Sequence, residues 1–109
     1  MIDNPEHIAL TEGVFLILLS MLQPRHGYSA MQYVGKMTKG RVVLGAGTLY
    51  GAINTLSEKQ WIRAVSESRD SRKKEYVITA VGKTILKNEM ARLEGLLLIG
   101  KDELGGTLI

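Results

Sequence analysis

The chain has 109 residues, 45% apolar and 23% charged, with 14 Lys and Arg against 11 Asp and Glu, 12 Gly, 2 Pro and no Cys. A chain of this size buries about two thirds of its extended surface on folding, enough for one domain with a thin core. The lack of Cys excludes disulfides, thiolate metal sites and cysteine nucleophiles, so a partner subunit is the readiest source of extra stability.

The net charge of +3 is unevenly spread: residues 1–23 carry three acids and no base, residues 24–74 ten bases and three acids, and residues 75–109 four bases and five acids. The basic middle creates a positive field that steers association with polyanions, although a solvated face would have the same composition. Met1 to Pro5 lacks the positive stretch of an export signal, which sets the expectation of a cytoplasmic protein. The most apolar run, Val14 to Leu22, covers nine positions, well short of the roughly 20 residues that cross a bilayer, so no membrane partner is expected.

Thr11 is placed to cap a first helix near residues 12–22, apolar almost all round and hence central, with Pro24 restricting the residue before it. His26-Gly27 reads as a turn. Tyr28, Met31, Val34 and Met37 then recur every three residues, predicting a short second helix interrupted but not broken by Gly35. After a turn at Thr38 to Arg41 and the brief apolar Val42-Val43-Leu44, Gly45-Ala46-Gly47 punctuates the chain. From Thr48 a third helix of about a dozen residues turns Leu49, Ile53 and Leu56 inward. Its opposite face carries Tyr50, Gly51, Asn54, Ser57 and Glu58.

Trp61 to Glu67 and Glu75 to Ile78 are β-forming runs that can pair as antiparallel strands, with Trp61 filling the junction beneath them. The exposed hairpin loop between them, Ser68 to Lys74, holds four bases and one acid. Thr79 can cap a long last helix whose Leu86, Met90, Leu93 and Leu97 form a heptad-like seam, with Gly95 and the tail from Gly100 limiting its reach. Once three helices and a hairpin have buried their faces, little of the chain remains to cover that seam, which points to a homodimer.

The fold class is therefore mainly α with a β-hairpin wing: a winged helix-turn-helix domain over 1–79 and a dimerisation helix with a short tail over 80–109. In that order of elements the third helix is offered to a DNA major groove. Thr48, near the helix N-terminus, can bond a phosphate or base edge, Tyr50 the backbone, and Asn54 lies on the same outward face. Arg69, Arg72, Lys73 and Lys74 would engage phosphates beside the minor groove. Tyr28 begins an apolar stripe, so packing and DNA contact compete for it. Two-fold symmetry would set paired third helices on a pseudo-palindromic operator of double-stranded DNA.

His26 has only His7 as a fellow histidine and no acid cluster beside it, so neither metal binding nor catalysis is expected, and no cofactor. A nucleophile, metal cluster or phosphate-cradling loop is nowhere suggested, and the chain is read as a non-enzyme. The alternative from another class is a winged-helix module that binds protein without sequence-specific DNA binding.

His26-Gly27-Tyr28, Gly47-Thr48-Leu49-Tyr50 and Ile78-Thr79-Ala80-Val81-Gly82 together resemble the signature pieces of the PadR-like transcriptional regulators, specifically short members with one C-terminal dimerisation helix. The resemblance covers roughly residues 11–98. It implies DNA-supporting roles for Tyr28, Thr48 and Tyr50, a wing from Arg69 to Lys74, and a homodimeric repressor released by a small aromatic or hydrophobic effector. Gly45-Ala46 and Gly51 replace the Ser-Pro and Pro that often flank Gly-Thr-Leu-Tyr in the family, which softens the helix start. Residues 80–109 contain no Phe, Trp or Tyr, leaving leucines and methionines as the lining available to an effector.

Overall fold

The computed structural model describes residues 9–65, 69–70 and 73–105. Seven elements follow in order: α1 (Glu12–Ser20), β1 (Arg25–His26), α2 (Gly27–Met37), α3 (Ala46–Glu58), β2 (Ile62–Ala64), β3 (Glu75–Ile78) and α4 (Ala80–Glu103).

The Thr11 hydroxyl accepts the Val14 N–H at 3.2 Å and caps α1 as expected. Leu16, Ile17 and Leu18 are buried, and so is Ser20, whose hydroxyl donates to the Ile17 carbonyl at 2.6 Å and so enters the core satisfied. The helix stops two residues short of the expected Leu22, because the Met21 carbonyl is taken by the Ile78 N–H of β3 at 2.8 Å.

His26 and Gly27, expected to form a turn, instead end β1 and begin α2; Arg25-His26 pairs antiparallel to β3, with Arg25 opposite Tyr76 and His26 opposite Glu75. The wing is thus part of a three-stranded sheet of order β1-β3-β2, in which Ile62 faces Ile78 and Ala64 faces Tyr76. Two residues are too few to show an alternating pattern, so the sequence carried no sign of β1.

The buried stripe of α2 is Gly27, Ala30 and Val34, while Tyr28 and Met37 are exposed. This corrects the expected stripe of Tyr28, Met31, Val34 and Met37. Small residues let the helix approach its neighbours closely, and a reading weighted by large apolar side chains places the inner face one residue off.

Helix α3 starts at Ala46, earlier than the expected Thr48, with Gly45 as its cap and Leu49, Ile53 and Leu56 buried. Both α2 and α3 end in Schellman turns built on non-glycine residues with positive φ, Lys39 (54°) and Gln60 (61°). In the second turn the Trp61 N–H reaches the Leu56 carbonyl at 3.0 Å, and both side chains join the core. Trp61 fills the junction as expected, with the Lys59 ammonium 4.8 Å from its ring centroid.

The Thr79 hydroxyl accepts the Gly82 N–H at 3.1 Å and donates to the Gln60 carbonyl at 2.6 Å, so the cap of α4 is also its anchor to the turn after α3. The helix runs 24 residues through Gly95 and Gly100, farther than expected. Each glycine costs a helix interior about 1 kcal/mol, too little to end a cooperative segment. Its buried residues, Gly82, Ile85, Leu86 and Glu89, all lie in the first three turns.

Glu89 is buried, takes both the Nε–H and an Nη2–H of Arg92 at 2.6 and 2.8 Å, and accepts the Leu10 N–H at 3.0 Å. These bonds, the Arg92 one foremost, hold its carboxyl below the ordinary 4.5 against the opposing effect of burial. Its stabilising contribution is therefore complete above that value and lost as pH falls through the lower folded one. Denaturation at a series of pH values should show wild type losing more stability on acidification below about pH 4.5 than Glu89→Gln does. Parallel curves would remove Glu89 from the acid response.

Candidate nucleic-acid interface

The polar side of α3 faces solvent: Thr48, Gly51, Asn54 and Glu58 are exposed while Leu49, Ile53 and Leu56 anchor the other side. Thr48 sits in the first turn, where Gly45 and not Thr48 is the cap, so its hydroxyl is not committed to helix capping.

Tyr50 is half-buried. A Cβ added at Gly27 would lie 2.8 Å from Cε1 and 3.0 Å from the hydroxyl oxygen of Tyr50, so any larger residue there would displace the Tyr50 ring. His26-Gly27-Tyr28 and Gly47-Thr48-Leu49-Tyr50 are thereby one structural unit, with the Tyr50 ring seated on the start of α2 and Tyr28, 53% exposed, beside it. The competition between packing and exposure at Tyr28 resolves towards exposure. Tyr76, on β3, has its hydroxyl pushed above its ordinary value by burial and then by the neighbouring Tyr50.

Arg69 and Lys73 are exposed and Lys74 is half-buried, while Arg72 lies outside the described residues. The Lys73 N–H bonds the Asp70 carbonyl at 2.9 Å. Lys74 and Asn54 share one groove between α3 and the sheet. Of the expected contacts, the structure therefore brings together Asn54 and Lys74.

Two cations escaped the sequence reading. Arg63 of β2 lines the same groove as Asn54 and Lys74. The Arg25 guanidinium lies 4.1 Å from the Tyr33 ring centroid, with its buried Nε–H unpartnered, above a shallow hollow that Ser29 and Lys36 also line. The pairing of β1 with β3 fixes the backbone from which Arg25 reaches the first turns of α2.

Leu86 is 5% exposed and packs in the chain's own core, which corrects its place in the expected seam. Met90 (51%), Leu93 (44%) and Leu97 (49%) remain open, joined by Leu96, Leu98 and Ile99. His26 Nδ1 lies 3.7 Å from a Glu75 carboxylate oxygen, and among the described residues no three His, Asp or Glu gather as a metal site. No helix among these residues is long and apolar enough to cross a membrane.

Residues 15–88 match the transcriptional regulator PadR-like family. An uncharacterised 37.1 kDa protein in a transposon of Streptomyces fradiae is 36% identical over 88 residues, 77% of this chain; the match spans about a quarter of that protein, 24% of its length. A transcriptional regulator from Clostridium thermocellum superposes with a TM-score of 0.67 at 19% identity, covering 90% of this chain and 93% of that one. A PadR-like transcription factor from Bacteroides fragilis gives 0.63 at 21% identity, covering 82% and 85%. At these identities the two structures bear on the fold alone.

Proposed function

Because this chain belongs to the PadR-like family, whose members are transcriptional regulators and not enzymes, we propose that it is a homodimeric repressor that reads DNA with the outer face of α3 and grips the backbone with its wing. The observation that carries this reading is that Asn54, on the exposed polar face of α3, lines one groove with Lys74 of the basic hairpin. A winged helix docking protein through α3 would need an apolar outer face, which Thr48, Asn54 and Glu58 do not supply.

Dimerisation rests on the exposed leucines of α4 beyond Glu89, too large an apolar surface for an isolated helix in water. Residues 1–79 would then be the reading domain and 80–109 the coupling segment of each subunit. A hollow of about 310 Å³ lined by Leu10, Phe15, Leu16 and Leu93, with the Glu12 and Glu89 carboxylates at its wall, is where a small hydrophobic effector would fit.

Two variants separate the proposed roles. The pair Lys73→Ala and Lys74→Ala should weaken binding about equally for all duplexes and reduce the slope of log affinity against log salt by about two, one per lost phosphate contact. Thr48→Ala should instead alter the preference among operator sequences. Unchanged affinity and slope in the double variant would sink the wing assignment, and a small uniform loss in Thr48→Ala would make Thr48 a supporting residue.

A further inference from the structure

We propose that the groove between α3 and the sheet is the seat of one DNA phosphodiester strand, with Arg63 as a backbone clamp opposite the polar face of α3. This rests on the DNA-reading role above.

If α3 enters the major groove and the wing lies beside the adjacent minor groove, the strand that separates the two grooves must pass between helix and wing. The space there is an open groove of about 700 Å³, with Asn54 and Ser57 on the helix side, Gln60 at its end, and Arg63 and Lys74 on the sheet side. Among the described residues no Asp or Glu lines it. Beside the apolar Ile62, Ala64, Ala80 and Val81, two cations and five neutral hydrogen-bonding side chains, Tyr76 and Thr79 among them, line the groove, and the cations match a phosphodiester backbone in sign and in donors.

The groove also has a fixed frame. Gln60 holds its left-handed conformation through the Trp61 N–H bond to Leu56, and its carbonyl accepts the Thr79 hydroxyl at 2.6 Å. The Thr79 N–H bonds the Trp61 carbonyl at 2.9 Å. Turn, sheet and the start of α4 are thus tied together beside the groove, and Arg63, two residues after Trp61, starts from a backbone set before DNA arrives. Such preorganisation reduces the ordering cost of contact.

The test uses the full chain and a duplex selected by the wild type, in which each phosphate in turn is replaced by a neutral methylphosphonate. One or two replacements between the base-contacting half-site and the flanking minor groove should cost the wild type about tenfold in affinity. In Arg63→Ala that cost should largely disappear, and the salt slope should fall by about one, while Arg63→Lys keeps the slope. Arg63 is exposed, so the thermal midpoint of Arg63→Ala should match wild type. Arg63→Ala binding as tightly and with the same slope, or remaining equally sensitive at the same phosphates, overturns the proposal while leaving DNA reading intact. A wild type that selects no duplex removes the DNA role and the groove's role with it.

Discussion

Gly82→Ala should lower the unfolding free energy by about 3 kcal/mol, a large share of the 5–15 kcal/mol typical of a small domain. A Cβ at this position would lie 2.1 Å from the Trp61 carbonyl oxygen and 2.7 Å from Ile78 Cγ1. The first of these neighbours is backbone, and no rotamer change relieves it. The start of α4 would have to withdraw, stretching the bond from the Thr79 N–H to the Trp61 carbonyl and opening contacts around Ile85 and Leu86. Gly35→Ala is the control: nothing lies within 4 Å of the added atom in the last turn of α2, so helix propensity should raise stability, by up to about 0.5–1 kcal/mol. Denaturant midpoints with unchanged slopes would measure both. A Gly82→Ala chain as stable as wild type would mean that α4 is not held against Trp61 as described.

The second large effect concerns assembly. Leu93→Asp combined with Leu97→Asp should yield a folded monomer at micromolar concentration and weaken binding to a two-half-site duplex about a hundredfold or more, because the second half-site contact is no longer intramolecular. The fold should survive, since α4 buries no residue after Glu89. Binding to a single half-site should change little. Sedimentation would read the size and titration the affinities; a variant that remains dimeric would place the subunit contact elsewhere.

Both predictions depend on α4, whose two halves were unequally legible. The spacing of Leu86, Met90, Leu93 and Leu97 announced an apolar seam, yet periodicity cannot say which members the chain covers itself, and Leu86 proved to be core. The inner face of α3 was plain, because Leu49, Ile53 and Leu56 are large and regularly spaced. That of α2 was not, because its closest contacts are made by Gly27 and Ala30, whose smallness matters only once Tyr50 is seen against Gly27.

The candidate interface divides in a similar way. An exposed helix face and a run of bases are local properties, so Thr48, Asn54, Arg69, Lys73 and Lys74 could be named from the chain. Arg63 acquires its surroundings from strand pairing across 14 positions, with Val77. Spacing along the chain carries no trace of such contacts.

Selection of bound duplexes from a random pool, repeated at several salt concentrations, bears most directly on the claim that this molecule reads DNA as a symmetric pair of α3 helices. A symmetric dimer should enrich a motif of two inverted half-sites whose centres are about one helical turn, or a whole number of turns, apart. Its affinity should fall steeply and linearly in log salt. Enrichment of no motif, or of a single half-site without a symmetric mate, would contradict that claim.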